Sequence, residues 1–156
     1  MNIKIIAVGK IKEKYTAQAI DEFVKRLGAY CSLSLAEISA QEIKDDSLCE
    51  KYKETEAEKI LAQIKPNSYV ITLEILGKSL SSEEFSQKIK NLSQEGFNEI
   101  IFIIGGANGL HKSVSDRADF KLSFSKMTFT HQLMRVFLYE QIYRAFKIMN
   151  NESYHR

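Results

Sequence analysis

The chain predicts an α/β protein with a mainly parallel sheet covered by helices on both faces. Short β-branched runs, Ile3–Gly9 (IKIIAVG), Leu33–Ile38, Tyr69–Ile75 (YVITLEI) and Ile100–Ile104 (IIFII), alternate with segments of helical spacing. The clearest runs are apolar throughout rather than at every second position, as expected of strands buried on both sides. The chain of 156 residues, 44% hydrophobic and 27% charged, is long enough for one core and too apolar to be disordered. No repeat, low-complexity tract or linker divides it, so residues 1–156 are expected to form one domain.

The first run ends at Gly9, and the charged connection KIKEK (Lys10–Lys14) follows. Ala19, Phe23 and Leu27, with Ile20 and Val24 beside them, then share one helical face, and Gly28 serves as the stop. After the strand at Leu33–Ile38 and a polar loop, Ser47 and Glu50 have capping-box spacing. Ala57, Ile60, Leu61 and Ile64 mark that helix's apolar line up to Pro66, and its middle (KYKETEAEK) reads as a solvated charged face. Gly77 is expected to break the third strand. Ser81 and Glu84 open a helix with Phe85, Ile89 and Leu92 on its buried line, ending at Gly96. The fourth strand runs into a glycine turn, GGANG (Gly105–Gly109). A short helix around Lys112–Arg117 and a short strand around Lys121–Phe124 precede a long apolar helix, Leu133–Met149.

Composition excludes several classes. The apolar runs fall short of the ~20 residues of a bilayer span, and the N-terminus makes a poor signal peptide. Cys31 and Cys49 are too few and too unpatterned for a disulfide framework or a metal site, so a reducing, cytoplasmic setting without a metal is expected. Charge is uneven: residues 111–156 carry eight Lys and Arg against four Asp and Glu, whereas residues 1–110 carry fourteen against sixteen. The basic end, which also holds all three histidines, is where an anionic partner is expected.

In open parallel sheets, ligands bind beyond the carboxyl ends of the strands. Three loops leave strand ends with suitable chemistry: the one after Leu73, Gly105–Gly109, and Phe124–Phe129. Gly105 and Gly106 either admit a ligand to the main chain or simply make the turn. The dinucleotide fingerprint is absent. Gly106–Ser113 (GANGLHKS) misses the phosphate-loop pattern by one residue, His111 standing where its second glycine belongs, which leaves a nucleotide hydrolase as the alternative. Arg135 falls on the apolar stripe of the last helix with Leu138, Ile142, Phe146 and Met149, in the turn least suited to a cation. It either snorkels to solvent or meets an anion from a ligand, RNA or a partner. Glu140 and Arg144 have ion-pair spacing. Leu133, Val136 and Phe137 lie off that stripe, and a second apolar face suggests either a dimer or an enclosed helix. Tyr154–His155–Arg156 is either a frayed end or a stacking ring, an acid/base and a phosphate-binding fork together.

Five stretches resemble one family over essentially the full length: IKIIAVGKIKEKY, VITLEILGK (Val70–Lys78), FIIGGANGLHKSV (Phe102–Val114), LSFSKMTFTHQLMRVFLYEQIYRAFKIM (Leu122–Met149) and the closing YHR. They are similar to the RlmH family, SPOUT-class methyltransferases that methylate N3 of a pseudouridine in large-subunit (23S) ribosomal RNA. The resemblance implies a SPOUT-type α/β fold with a C-terminal trefoil knot, a homodimer, and S-adenosylmethionine as cofactor. It carries cofactor binding onto Leu73, Gly105, Phe124, Ser125, Lys126, Met127, Thr128 and Phe129. The expected catalytic set is His155 as base or orienter, with Tyr154, Arg156 and Arg135; Arg144 and His131 are expected at RNA or at an interface. Weak surplus charge implies the assembled ribosome as substrate rather than bare RNA. Thr130 and Ser153 stand where the family commonly has proline, which is expected to loosen the turn before His131 and the hold on the tail.

Overall fold

The computed structural model describes residues 1–40 and 45–154. Five strands, β1 (Asn2–Val8), β2 (Ser32–Ile38), β3 (Tyr69–Ser79), β4 (Glu99–Ile104) and β5 (Phe120–Ser123), form one sheet in the order β2-β1-β4-β3-β5. Every pairing is parallel. Five helices cover it: α1 (Lys14–Leu27), α2 (Cys49–Leu61), α3 (Ser82–Gln94), α4 (Lys112–Arg117) and α5 (His131–Met149).

Strand pleating divides the apolar residues between two cores. Ile3, Ile5 and Ala7 of β1 and Ile100, Phe102 and Ile104 of β4 point to the side of α1, α3 and α5. Ile6, Val8, Ile101 and Ile103 point to the opposite side, against α2 and α4. This two-sided burial is why the strands lack alternation. The terminal helix packs against both α1 and α3. Hydrogen bonds from Ser86 Oγ to the Ala145 carbonyl (2.9 Å) and from Ser82 Oγ to Gln141 Oε1 (2.7 Å) fix it to α3.

Several local expectations are corrected. Gly77 does not break β3, which continues to Ser79. Leu73 and Lys78 both align with Leu122 of β5, so residues 74–77 are an excursion beyond which the strand resumes. Gly77 is needed for a different reason: a Cβ there would lie 2.7 Å from the Lys121 carbonyl oxygen. Ser47 and Glu50 make no capping box. A 3-10 turn (Asp46–Leu48) leads into α2, the Ser47 amide donates to Asp45, and Glu50 pairs with Lys53. That helix ends at Leu61, before Pro66 can terminate it. Gly28 closes α1 in ordinary right-handed geometry (φ −57°), and Val24 is exposed. The box at Ser81 and Glu84 is present in both directions. Thr130 does not loosen its turn: its hydroxyl accepts from the Leu133 amide at 3.3 Å and caps α5.

Candidate functional site

At the carboxyl ends of β3, β4 and β5, the three loops enclose one cavity of about 720 Å³. Leu73 and the excursion after it supply one wall, Gly105, Gly106 and Gly109 the floor, and Phe124, Ser125 and Met127–Thr130 the other wall. The glycine turn is tight: the Gly109 amide donates to the Gly106 carbonyl at 3.0 Å, and Gly109 adopts φ +73°, which favours glycine. A Cβ on Gly105 would come within 3.0 Å of the Gly109 carbonyl carbon, and one on Gly106 within 3.1 Å of Val8 Cγ1. Both positions are therefore tight for a side chain before any ligand is considered.

Of the residues assigned to the cofactor, Leu73, Gly105, Phe124, Ser125, Met127, Thr128 and Phe129 line the cavity. Lys126 lies in the same loop, is exposed and is not part of the wall. The loop is shaped by its serines: Ser125 Oγ accepts from the Met127 amide (2.9 Å), and Ser123 Oγ donates to the Ser125 carbonyl (3.2 Å). His131 and Gln132, at the start of α5, close the far side. Burial first, then the charges of Arg135 and Lys12, hold the His131 imidazolium below its usual range, so the ring is neutral near pH 7. Gln132 Oε1 accepts from the Lys12 amide (3.1 Å), the Glu13 amide (3.2 Å) and Thr16 Oγ (3.3 Å). It thereby ties the start of α5 to the segment that leads into α1, whose own N-cap Glu13 supplies no side-chain bond.

Arg135 is wholly buried and finds its anion inside its own chain. Its guanidinium donates to Glu37 Oε1 at 2.6 Å and to the Gly9 carbonyl. Arg135, expected in the catalytic set, thereby ties α5 to the ends of β1 and β2. It does not line the cavity. Arg144 donates to Glu140 Oε1 (2.6 Å), as the i, i+4 spacing predicts, and its guanidinium lies over the Tyr154 ring at 4.7 Å. Tyr154 O–H donates to the same Glu140 oxygen (3.2 Å), and its ring meets Tyr143 edge-on at 4.9 Å. Burial, with Glu140 adding to it, pushes the Tyr154 phenol up. His155 and Arg156 lie outside the described residues.

The phosphate-loop alternative fails on geometry. His111 caps α4 through Nδ1, which accepts from the Ser113 amide at 3.2 Å, and Lys112 is spent on Asp116. Comparison with known proteins decides the family. Residues 1–155 match the family model described as "Predicted SPOUT methyltransferase". The chain belongs to the SPOUT methyltransferase family. This SPOUT methyltransferase is 56% identical, over the whole of both chains, to the ribosomal RNA large subunit methyltransferase H of Finegoldia magna. Its fold also resembles a probable methylase family protein from Haemophilus influenzae. That likeness has a TM-score of 0.58 at 12% identity, over 99% of this chain and 70% of the other, and it speaks for the fold alone.

Among the wall residues that escaped the sequence are two polar ones, Glu74 and Gln132. Glu74 was hidden inside an apparent strand, and Gln132 inside an apolar helix. The first had a faint signal, a carboxylate interrupting an apolar run at a strand end; the second had none, because its partners are more than a hundred residues away.

Proposed function

We propose that this SPOUT methyltransferase uses S-adenosylmethionine to methylate N3 of a pseudouridine in large-subunit (23S) ribosomal RNA, in the cytoplasm and on the assembled ribosome. The cavity carries the proposal: three loops far apart in sequence meet in one chamber at the strand ends. The substrate comes from the full-length relative whose name specifies large-subunit ribosomal RNA. The chamber suits the cofactor. Its volume of about 720 Å³ falls among small-molecule sites. Leu73, Ile104 and Leu122 offer apolar wall for an adenine, and Gly105 and Gly106 leave main chain accessible.

When bound, S-adenosylmethionine supplies an electrophilic methyl group on a sulfonium, open to in-line attack by nitrogen. The protein's part is to align the nitrogen, exclude water and accept the N3 proton. In this proposal Leu73, Gly105 and Phe124–Phe129 hold the donor, with Lys126 at the rim. His155 takes or steers the proton, Tyr154 stacks on the base, and Arg156 holds a phosphate.

A homodimer belongs to the same proposal. Tyr154 is docked on Glu140 and Arg144, about 14–20 Å along α5 from the cavity edge at His131. Such a tail is better placed to serve the cavity of a second copy than its own. Met127, Phe129 and Phe137 expose apolar surface beside the cavity, with Phe129 and Phe137 edge to face at 5.3 Å. A partner would cover them, and Arg144 and His131 then face that interface or a phosphate. A trefoil knot is part of the reading as well. It is supported by the path of the chain from the β5 edge across the sheet to Gly9, where His131 rests.

The test is incubation with labelled S-adenosylmethionine and ribosomes from cells lacking the activity, followed by mapping of the modified base. The expected product is N3-methylated pseudouridine in large-subunit RNA, and absence of label there refutes the assignment. Deleting residues 154–156 should spare cofactor binding and abolish turnover. Near-normal single turnover by His155→Ala would remove His155 as the base.

A further inference from the structure

Among the described residues lining the cavity, Glu74 is the one side chain with a formal charge, histidine being counted as neutral. Both of its oxygens are already oriented. Thr72 Oγ donates to Oε1 at 2.6 Å, and Ser115 Oγ to Oε2 at 3.0 Å. Each carboxylate oxygen keeps a further lone pair, so the group remains able to accept. Neither hydroxyl neutralises the charge, and no lysine or arginine on the described wall does so. The chamber therefore has one carboxylate in its described lining, held in place by two hydroxyls.

We propose that Glu74 is the charge-reading residue of the cavity, which favours the cationic methyl donor over the neutral product. This rests on the proposal that the cavity takes S-adenosylmethionine. The donor carries an ammonium, a sulfonium and a carboxylate, one net positive charge. In the reaction the S–CH3 bond breaks and an N–CH3 bond forms, the bonding pair returns to sulfur as a thioether, and the N3 proton leaves with a base. What remains in the chamber is S-adenosylhomocysteine, with no net charge. An opposite charge a few ångströms away in a partly enclosed site favours the first ligand and is indifferent to the second. The same carboxylate thus tightens binding before transfer and lets product leave after it, as turnover requires.

The experiment is calorimetry of wild type and Glu74→Gln with S-adenosylmethionine and S-adenosylhomocysteine. Glutamine keeps the shape and an acceptor for the hydroxyls while removing the charge. Affinity for S-adenosylmethionine should fall about 5- to 30-fold, the scale of one screened charge–charge contact. Affinity for S-adenosylhomocysteine should stay within about twofold, and Glu74→Asp should retain the preference. Equal losses for both ligands, or no loss for either, overturn the proposal by making Glu74 a packing or hydrogen-bonding residue. A second measurement needs no variant: wild type should prefer the S-methyl sulfonium of 5′-methylthioadenosine to neutral 5′-methylthioadenosine, and equal affinities overturn the assignment. Wild type that binds neither S-adenosylmethionine nor its product would sink the cofactor reading itself, a distinguishable failure.

Discussion

Replacing Arg135 by alanine should damage stability rather than chemistry. The guanidinium is wholly buried, 2.6 Å from Glu37 Oε1, and also bonded to the Gly9 carbonyl. Removing one partner of a buried pair costs ~3–5 kcal/mol where the other charge is trapped. Glu37 keeps 31% of its side chain exposed and can rehydrate, which lowers that share. The void left by a long side chain and the stranded carbonyl act the other way. The balance is about 3 kcal/mol, a large part of a typical ~5–15 kcal/mol margin and about 6–12 °C in Tm for a chain of this length. Glu37→Gln, which keeps an acceptor, should cost about 1–2 kcal/mol. Arg135→Met should cost less than Arg135→Ala, because it fills the space and removes Nε, which has no partner. Urea unfolding of the single variants and of Arg135→Ala/Glu37→Ala measures the coupling directly. An Arg135→Ala protein with an unchanged denaturation midpoint but lost activity would refute this assignment and return Arg135 to the substrate.

Three further outcomes are expected. Gly77→Ala puts a methyl group 2.7 Å from the Lys121 carbonyl oxygen, backbone that cannot swing away. It should cost at least ~2 kcal/mol in thermal unfolding and weaken cofactor binding by moving residues 74–77. Gln132→Ala removes the acceptor of the Lys12 and Glu13 amides ahead of α1 and should cost about 1–2 kcal/mol in urea unfolding; full stability would show the tie to be dispensable. The folded protein holds His131 below its usual pKa, so the unfolded chain binds more protons as pH falls through about 6.5. Stability should be flat above that value and decline below it, and His131→Gln should flatten the decline; an unchanged slope in the variant places it elsewhere.

Much of the architecture could be read directly from the letters because local rules and tertiary demands agreed. Ser81 and Glu84 announced α3, and IIFII announced a strand buried on both faces. Failures occurred where a distant contact overrode a local preference. Gly77 resembles a breaker, yet it is there because β5 passes too close for a Cβ. Ser47 and Glu50 have capping spacing, but Asp45 and Lys53 occupy them. Arg135 was correctly marked as a cation in need of an anion, but spacing could not reveal that Glu37, 98 residues earlier, supplies it. The cavity loops were found because glycine and small polar residues at strand ends have a chemistry of their own. Glu74 was missed because the register shift between Leu73 and Lys78, which opens the strand end where it sits, is set by pairing with β5.

The Gln132 carbonyl holds the entrance of α1 across sequence separations of 119 and 120. During synthesis, the first helix therefore waits for its lid until residue 132 has left the exit tunnel. At ~5–20 residues per second, that is a wait of several seconds or more. A half-made copy lacks β4, which joins β1 to β3, and β5, and so lacks the loops that enclose the chamber. For this molecule, an assembled chamber marks the arrival of α5.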